Sequence, residues 1–472
     1  MTSTVSADFQ GKHVTVAGLG VSGIPAAKVL HARGALVTVV NDGDDARARE
    51  QAAELEALGI TVRLGDGATL PEGTDLIVTA PGWKPDKPLF EAARAAGVEI
   101  WGDVELAWRL RGPDAAPWLA ITGTNGKTTT TQMLASILKA AGLRTAAVGN
   151  IGVSVLDAVL GEEQYDVLAV ELSSYQLHWA PSLRAHSAAV LNLAPDHLDW
   201  HGSMEAYARD KGRVYEGNRV ACVYNVADKA TEDLVREADV EEGCRAIGFT
   251  LGSPGPSQLG VVDGILVDRA FVENRQKNAQ ELAEVSDVNP PAPHNIANAL
   301  AAAALARAFG VPAKAVRDGL RAFTPDAHRI AHVADVDGVA YVDDSKATNT
   351  HAAEASLAAY ESIVWIAGGL AKGASFDELV AKSAKRLRGV VLIGADRALI
   401  REALARHAPE VPVVDLDRTD TGAMLQAVTE AKRLARPGDT VLLAPACASM
   451  DMFTNYNKRG DAFAEAVREL GS

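Results

Sequence analysis

The stretch Trp118-Leu119-Ala120-Ile121-Thr122-Gly123-Thr124-Asn125-Gly126-Lys127-Thr128-Thr129 limits the fold of this 472-residue chain more than any other. Its first five residues carry no charge and read as a buried strand. A turn holding two glycines follows, and then a segment of helical period, Thr129–Ala141. The preceding Gly112-Pro113-Asp114-Ala115-Ala116-Pro117 is a loop, because both prolines break regular structure. A strand, a glycine turn and a helix in that order form a cradle for phosphate. Gly123 and Gly126 let backbone N–H groups converge, the helix N-terminus favours anions, Lys127 adds a charge, and the Thr128 hydroxyl suits Mg²⁺. The spacing is shorter than that of common phosphate loops, since position 121 is Ile. The expected ligand is ATP, and the alternative is a strand-helix turn with no ligand.

The same alternation of short Val/Ile runs with longer Ala/Leu helical segments recurs along the chain, which predicts α/β folding around mostly parallel sheets. Strands are expected at His13–Ala17, Ala35–Val40 and Leu76–Thr79, with helices at Ile24–Ala32 and Ala46–Leu58. A second set of strands is expected at Thr145–Val148, Val167–Val170 and Ala188–Leu191, closed by a helix over Asn295–Phe309. Beyond Thr324-Pro325-Asp326, read as a boundary, strands are expected at Ala340–Val342, Ile363–Ala367, Val390–Ile393 and Val441–Ala444. Length alone points to about three domains.

Several residues outside the turn have the chemistry of a nucleotide site. Gly18-Leu19-Gly20-Val21-Ser22-Gly23 follows the first strand, and Asp42 follows the second, as in dinucleotide-binding folds. The same turn accepts any diphosphate, including that of a UDP-sugar, so NAD stays an alternative. Glu171 is placed at the carboxyl end of a strand, where an acid reaches a metal on a triphosphate. His197, in Asn192-Leu193-Ala194-Pro195-Asp196-His197-Leu198-Asp199, is a more surprising metal ligand, since Mg²⁺ prefers oxygen. Lys211, in the helical pattern Met204–Tyr215, reads locally as a solvated surface lysine. Asn295 and Asn298 share one helix face, where they suit a base or phosphate, although Asn295 serves equally well as a helix cap.

This set of motifs resembles the Mur ligase family, cytoplasmic enzymes that add amino acids to the peptide of the cell-wall precursor, with folylpolyglutamate synthetase as a relative. The resemblance covers essentially the whole chain. Asp344-Ser345-Lys346-Ala347-Thr348-Asn349 and Ala446-Cys447-Ala448-Ser449-Met450-Asp451-Met452-Phe453 are most similar to the signatures of the member that joins D-glutamate to UDP-N-acetylmuramoyl-L-alanine. The Asp-Asn-Pro-Arg of the diaminopimelate-adding member is absent.

The resemblance implies a Rossmann-like N-terminal domain, 1–102, for the UDP substrate. It implies a central ATP-binding domain of the P-loop type, 103–325, and a Rossmann-like amino-acid-binding domain, 326–472. It assigns the uridine diphosphate to Val21, Ser22, Asp42 and Gly82, with Asn150 and His197 nearer the sugar and peptide. ATP falls to Gly123, Thr124, Asn125, Gly126, Lys127, Thr128, Thr129, Asn295, Asn298, Arg329 and Asp344. Two Mg²⁺ ions fall to Thr128, Glu171, His197 and a Lys211 carbamylated by carbon dioxide, with Lys127, His197 and Lys211 as catalytic groups. D-glutamate falls to Thr348, Lys372, Ser449 and Tyr456. Many relatives carry phenylalanine where this chain has Tyr456, and backbone contacts there should preserve binding.

Composition narrows the remaining classes. With 48% hydrophobic and 23% charged residues and a mean hydropathy of +0.02, the chain is globular and not disordered. A net charge of −15 argues against general binding of nucleic acid or anionic lipid. Cys222, Cys244 and Cys447 are far apart in sequence and in no metal-binding spacing, so neither a disulfide framework nor a zinc site is expected. The amino terminus lacks a secretory signal and no stretch is long and apolar enough to span a membrane, which fits a cytoplasmic enzyme; a monomer is expected. The rival readings are another amide ligase of the Mur or folylpolyglutamate type, an NAD-dependent oxidoreductase and a non-catalytic nucleotide sensor.

Overall fold

A computed structural model describes residues 8–325, 327–418, 420 and 422–470. Asp326, in the expected boundary, and the first seven residues lie outside them. The chain builds three sheets. The first is fully parallel, in the order β3 (Thr61–Leu64), β2 (Leu36–Asn41), β1 (His13–Ala17), β4 (Leu76–Thr79), β5 (Glu99–Gly102). The chain order reverses on either side of β1, and the Gly18–Gly23 turn leaves its carboxyl end at that point. Ligands of open parallel sheets bind at such reversals.

The second sheet comprises β6 (Trp118–Thr122), β7 (Ala147–Gly149), β8 (Leu168–Glu171), β9 (Ser187–Val190), β10 (Ala221–Asn225), β11 (Arg245–Phe249), β12 (Gln258–Val262), β13 (Ile265–Asp268) and β14 (Gln280–Glu284). Their spatial order is β14-β13-β12-β11-β10-β9-β6-β8-β7, parallel except where β13 and β14 join antiparallel. Here β6 is the reversal point, and the Gly123–Lys127 turn leaves its carboxyl end. Side chains alternate across β6. Leu119 and Ile121 enter one core with Met133, Leu134 and Ile137 of the following helix. Trp118 and Ala120 enter another that extends to Val14, Val16 and Val39 of the first sheet. That shared core explains why the first two sheets fall in one compact unit, which runs to Val288 and takes Asn295–Phe323.

The other unit takes Asn289–His294 and the chain from Thr324 onward. Its sheet has the order β15 (Ala331–Val336), β16 (Val339–Asp343), β20 (Thr440–Leu443), β17 (Ile363–Gly368), β18 (Leu387–Ile393), β19 (Val413–Asp415), parallel except for β15.

Most expected boundaries move by a residue or two, and some by more. The strand predicted over Thr145–Val148 is Ala147–Gly149, and the helix predicted over Met204–Tyr215 ends at Gly212, with a 3₁₀ turn over Arg213–Tyr215. The phosphate-loop helix begins at Lys127 and ends at Ala140. The five strands between residues 221 and 284 have no counterpart in the sequence reading.

Candidate functional site

Two lysines meet at one carbonyl oxygen beside the phosphate loop. Lys211 Nζ donates to the Gly123 carbonyl at 2.8 Å and to Thr122 Oγ1 at 3.5 Å. Lys127 Nζ donates to the same Gly123 carbonyl at 3.0 Å and to that of Thr124 at 2.9 Å. Lys211 is 1% exposed, so the local reading of it as a solvated helix residue is wrong. The helix Met204–Gly212 turns this residue inward, against the Tyr207 ring, 4.7 Å from Nζ. Burial and the Lys127 charge hold the Lys211 amine well below the usual lysine range, outweighing the opposite pull of Asp196 and Glu171.

The loop itself is fastened from distant parts of the sequence. Thr124 N–H donates to the Asn192 carbonyl at 3.0 Å, and Asn125 N–H donates to Asn192 Oδ1 at 2.8 Å. The Thr124 hydroxyl shares a 3.0 Å hydrogen bond with that of Tyr207. Gly123 has φ +151° and Gly126 +82°, and a Cβ on Gly126 would fall 2.4 Å from Asn298 Oδ1. Glycine at 126 is therefore required twice, by backbone sign and by the close approach of the buried Asn298. Asn295, 3% exposed, lies one helical turn earlier. Thr128 and Thr129 are buried in the first turn of the helix behind the loop.

Glu171 ends β8 and is 1% exposed. Its Oε1 accepts from Asn150 Nδ2 at 2.8 Å, whereas Oε2 is buried with no hydrogen-bond partner among the described residues. A buried carboxylate oxygen left so is costly unless something positive or hydrogen-bonding completes it. With the Thr128 hydroxyl, it offers the hard oxygen donors that Mg²⁺ prefers. Among the described residues no three His, Cys, Asp or Glu side chains converge as a ready-made metal site. The residues therefore fit Mg²⁺ held largely by oxygens that a nucleotide brings. His197 stands at φ +54°, its ring 4.9 Å from Tyr175 and its Nε2 3.6 Å from Asp196.

At the first sheet, Val21 is 86% exposed at the tip of the glycine turn, and Ser22 donates to the half-buried Asp103 at 3.0 Å. Asp42 accepts from Lys87 Nζ at 2.5 Å. Gly82 accepts from Trp200 Nε1 at 3.2 Å, which joins the first sheet's loops to the segment carrying His197.

The residues assigned to D-glutamate cluster at the carboxyl edge of the third sheet. The Ala446 N–H donates to the Ala347 carbonyl, next to Thr348, and Leu370 and Ala448 exchange two backbone bonds, which brings Lys372 and Ser449 near each other. Lys372 is exposed with φ +48°, and Ser449 is buried. The Tyr456 carbonyl accepts from Ser345 Oγ and its hydroxyl from Lys346 Nζ, both at 2.7 Å, so at least its carbonyl is already engaged. Asp344 is 7% exposed. It accepts from the Ser356 hydroxyl and, at 3.3 Å, from the Ile330 N–H; Arg329 acts on its charge. Burial raises its carboxyl to about 6.

Sequence reading missed Asn192, Tyr207 and a buried cluster beside Lys211. Asp210 Oδ2 accepts from His178 Nδ1 and His201 Nδ1, each at 2.9 Å, and His201 Nε2 meets Ser174 Oγ at 2.9 Å. The two imidazoles hold Asp210 down to about 2 against its burial. It missed also Arg459, 1% exposed, which bonds Ser345 and the Cys447 carbonyl. The Asp-Lys pair inside a helix pattern was the available signal for the first cluster. Arg459 sent none.

Comparison with known proteins adds to this geometry. Residues 12–102 match the model of the MurD-like N-terminal domain of Mur ligases. Residues 121–306 match the Mur ligase middle domain, and residues 328–447 the Mur ligase glutamate ligase domain. The chain is 89% identical over 468 residues to UDP-N-acetylmuramoylalanine–D-glutamate ligase of Streptomyces coelicolor, covering 98% of this chain and 99% of that one. It is 60% identical over 465 residues to the protein of the same name from Thermobifida fusca, with 98% and 99% covered. Among solved structures, the UDP-N-acetylmuramate-alanine ligase of Thermotoga maritima aligns at TM-score 0.56 with 19% identity, over 97% of this chain and 99% of that one. A pseudomurein peptide ligase from Methanothermus fervidus aligns at 0.58 with 17% identity, over 98% and 100%. At such identities the two structures speak to the fold alone.

Proposed function

The chain belongs to the Mur ligase family, and on that premise we propose that it is an ATP-dependent ligase joining D-glutamate to UDP-N-acetylmuramoyl-L-alanine in peptidoglycan precursor synthesis. The relatives that share most of its sequence carry that name over nearly their full lengths. In this reading residues 1–102 hold the UDP substrate through Val21, Ser22, Asp42 and Gly82, residues 103–325 hold ATP, and residues 326–472 hold the amino acid. Such an enzyme works on nucleotide substrates in the cytoplasm, here as a monomer.

A carboxylate does not condense with an amine in water, so its oxygen must first become part of a leaving group. In the proposed reaction the carboxylate oxygen of the alanyl group attacks the γ-phosphorus of ATP, giving an acyl phosphate and ADP. The D-glutamate amine then adds to the acyl carbon, loses a proton, and phosphate departs as the amide forms. Lys127 neutralises charge on the phosphoryl group being transferred, and the loop N–H groups orient it. Asn295, Asn298, Arg329 and Asp344 complete nucleotide binding, and Asn150 and His197 hold the substrate near the reacting carboxylate. Bound Mg²⁺, held by Thr128, Glu171 and His197, supplies positive charge to the phosphate oxygens. Thr348, Lys372, Ser449 and Tyr456 receive D-glutamate.

The observation that carries this reading is the shared Gly123 carbonyl. It sets the buried Lys211 amine, held well below the usual lysine range by burial and by the Lys127 charge, beside the Lys127 ammonium. A neutral amine adds carbon dioxide, forming an N–C bond and releasing a proton. The resulting carbamate carries a negative charge that complements Lys127 and offers two hard oxygens to a second Mg²⁺. The decisive assay is phosphate release with each substrate omitted in turn. Release that requires ATP, D-glutamate and the UDP-linked alanyl substrate together supports the ligase. Release independent of D-glutamate, or none at all, supports a sensor or an oxidoreductase instead.

A further inference from the structure

Cys222 and Cys244 play no part in this chemistry, and their spacing in the sequence suggests no pairing. In the fold their Sγ atoms lie 3.9 Å apart. Cys222 lies in the buried first half of β10, and Cys244 closes the turn that delivers the chain into the neighbouring parallel strand β11, where Cys222 is in register with Ala246. Cys222 is buried, while Cys244 is partly open to solvent. The third cysteine, Cys447, is buried in the other unit.

We propose that Cys222 and Cys244 form a reversible disulfide on reaction with small-molecule disulfides, Cys244 being the attacking thiol and Cys222 the resolving one. The sulfurs already touch, so closure to a bond of about 2.05 Å needs a shift of under about 2 Å, within reach of side-chain rotation and a small adjustment of the turn. Roles follow from access and acidity. Cys244 is the one solvent reaches, and the neighbouring thiol and a backbone N–H lower its pKa, whereas the contact with Cys244 and burial raise that of Cys222. The Cys244 thiolate attacks one sulfur of the reagent, breaking its S–S bond and expelling one thiolate. Cys222 then attacks Cys244 Sγ and expels the second thiolate, its proton passing to that leaving group. Two protein thiols are thereby oxidised and one reagent disulfide is reduced to two thiols.

The test treats the folded, full-length protein with hydroxyethyl disulfide and maps its cysteines by mass spectrometry. The expected product has lost two hydrogens, joins the Cys222 and Cys244 peptides, keeps Cys447 as a thiol, and returns to the starting mass with dithiothreitol. Cys222→Ser is expected to accumulate a stable mixed disulfide carrying a hydroxyethylthio group on Cys244, and Cys244→Ser to leave Cys222 unmodified. Three unmodified thiols in the treated wild-type protein, or a link through Cys447, would overturn the proposal without reference to either variant. So would an adduct on Cys222 in Cys244→Ser.

Discussion

Replacing Asp344 by Asn should make the ligand-free protein more stable in mild alkali and less able to turn over. In the folded chain burial raises the Asp344 carboxyl to about 6, against 3.8 for the unperturbed group. The folded state therefore binds this proton more tightly than the unfolded state does. The resulting penalty is fully present above about pH 6 and fades as the pH falls toward the unfolded value. A shift of about two units corresponds to roughly 3 kcal/mol. Asn removes the charge and can keep the local bonding: its Oδ1 accepts from Ile330 N–H, and its Nδ2 can donate to Ser356 Oγ, which still donates to the Ala352 carbonyl. Thermal unfolding at pH 8 should then shift upward by about 6–12 °C, at about 2–4 °C per kcal/mol. The gain should shrink to near zero by about pH 4. A gain that did not shrink with acid, or no gain at pH 8, would refute the reasoning that the buried carboxylate carries an electrostatic penalty retained for ATP binding. The same variant should lose at least about tenfold in kcat/KM for ATP, about 1.4 kcal/mol of lost transition-state binding.

Lys127→Ala should lower kcat by about 10²-fold or more, as expected of a charge donor to a transferring phosphoryl group, with little change in unfolding temperature. Near wild-type turnover would remove the loop from the mechanism. Lys211→Ala and Lys211→Arg should both cripple activity, and added formate or acetate should restore part of that of Lys211→Ala; full activity without added acid would exclude the carbamate. Gly126→Ala should cost about 1–2 kcal/mol from backbone strain alone, plus the displacement of Asn298, and denaturant unfolding with an ATP titration measures both effects.

The sequence made the phosphate loop legible because strand, turn and helix are contiguous and each obeys a local rule. The glycine turn after β1 was legible for the same reason, whereas the strand order that makes β1 and β6 reversal points depends on pairing between distant segments. Lys211 was not. Its burial depends on Tyr207 and on the Thr122–Gly123 backbone, brought together only when the sheet forms, and the helix around it is polar enough to read as surface. Asn192 and Asn298 were equally hidden as props of the loop, since their partners stand many residues away. The strands between 221 and 284 were missed because they are short and several carry charged or polar residues at their ends, with edge strand β14 holding Gln280, Glu281 and Glu284. Such residues protect an open sheet edge but erase the apolar run by which a buried strand is read.

The central claim, that the substrate carboxylate is activated by phosphoryl transfer before the D-glutamate amine attacks, is tested most directly by isotope transfer. UDP-N-acetylmuramoyl-L-alanine is prepared with ¹⁸O in its alanyl carboxylate and turned over with ATP, Mg²⁺ and D-glutamate, and the released phosphate is examined by mass spectrometry. One labelled oxygen is expected in each phosphate, because the oxygen that attacks the γ-phosphorus leaves with it. Amide product accompanied by unlabelled phosphate would contradict the claim.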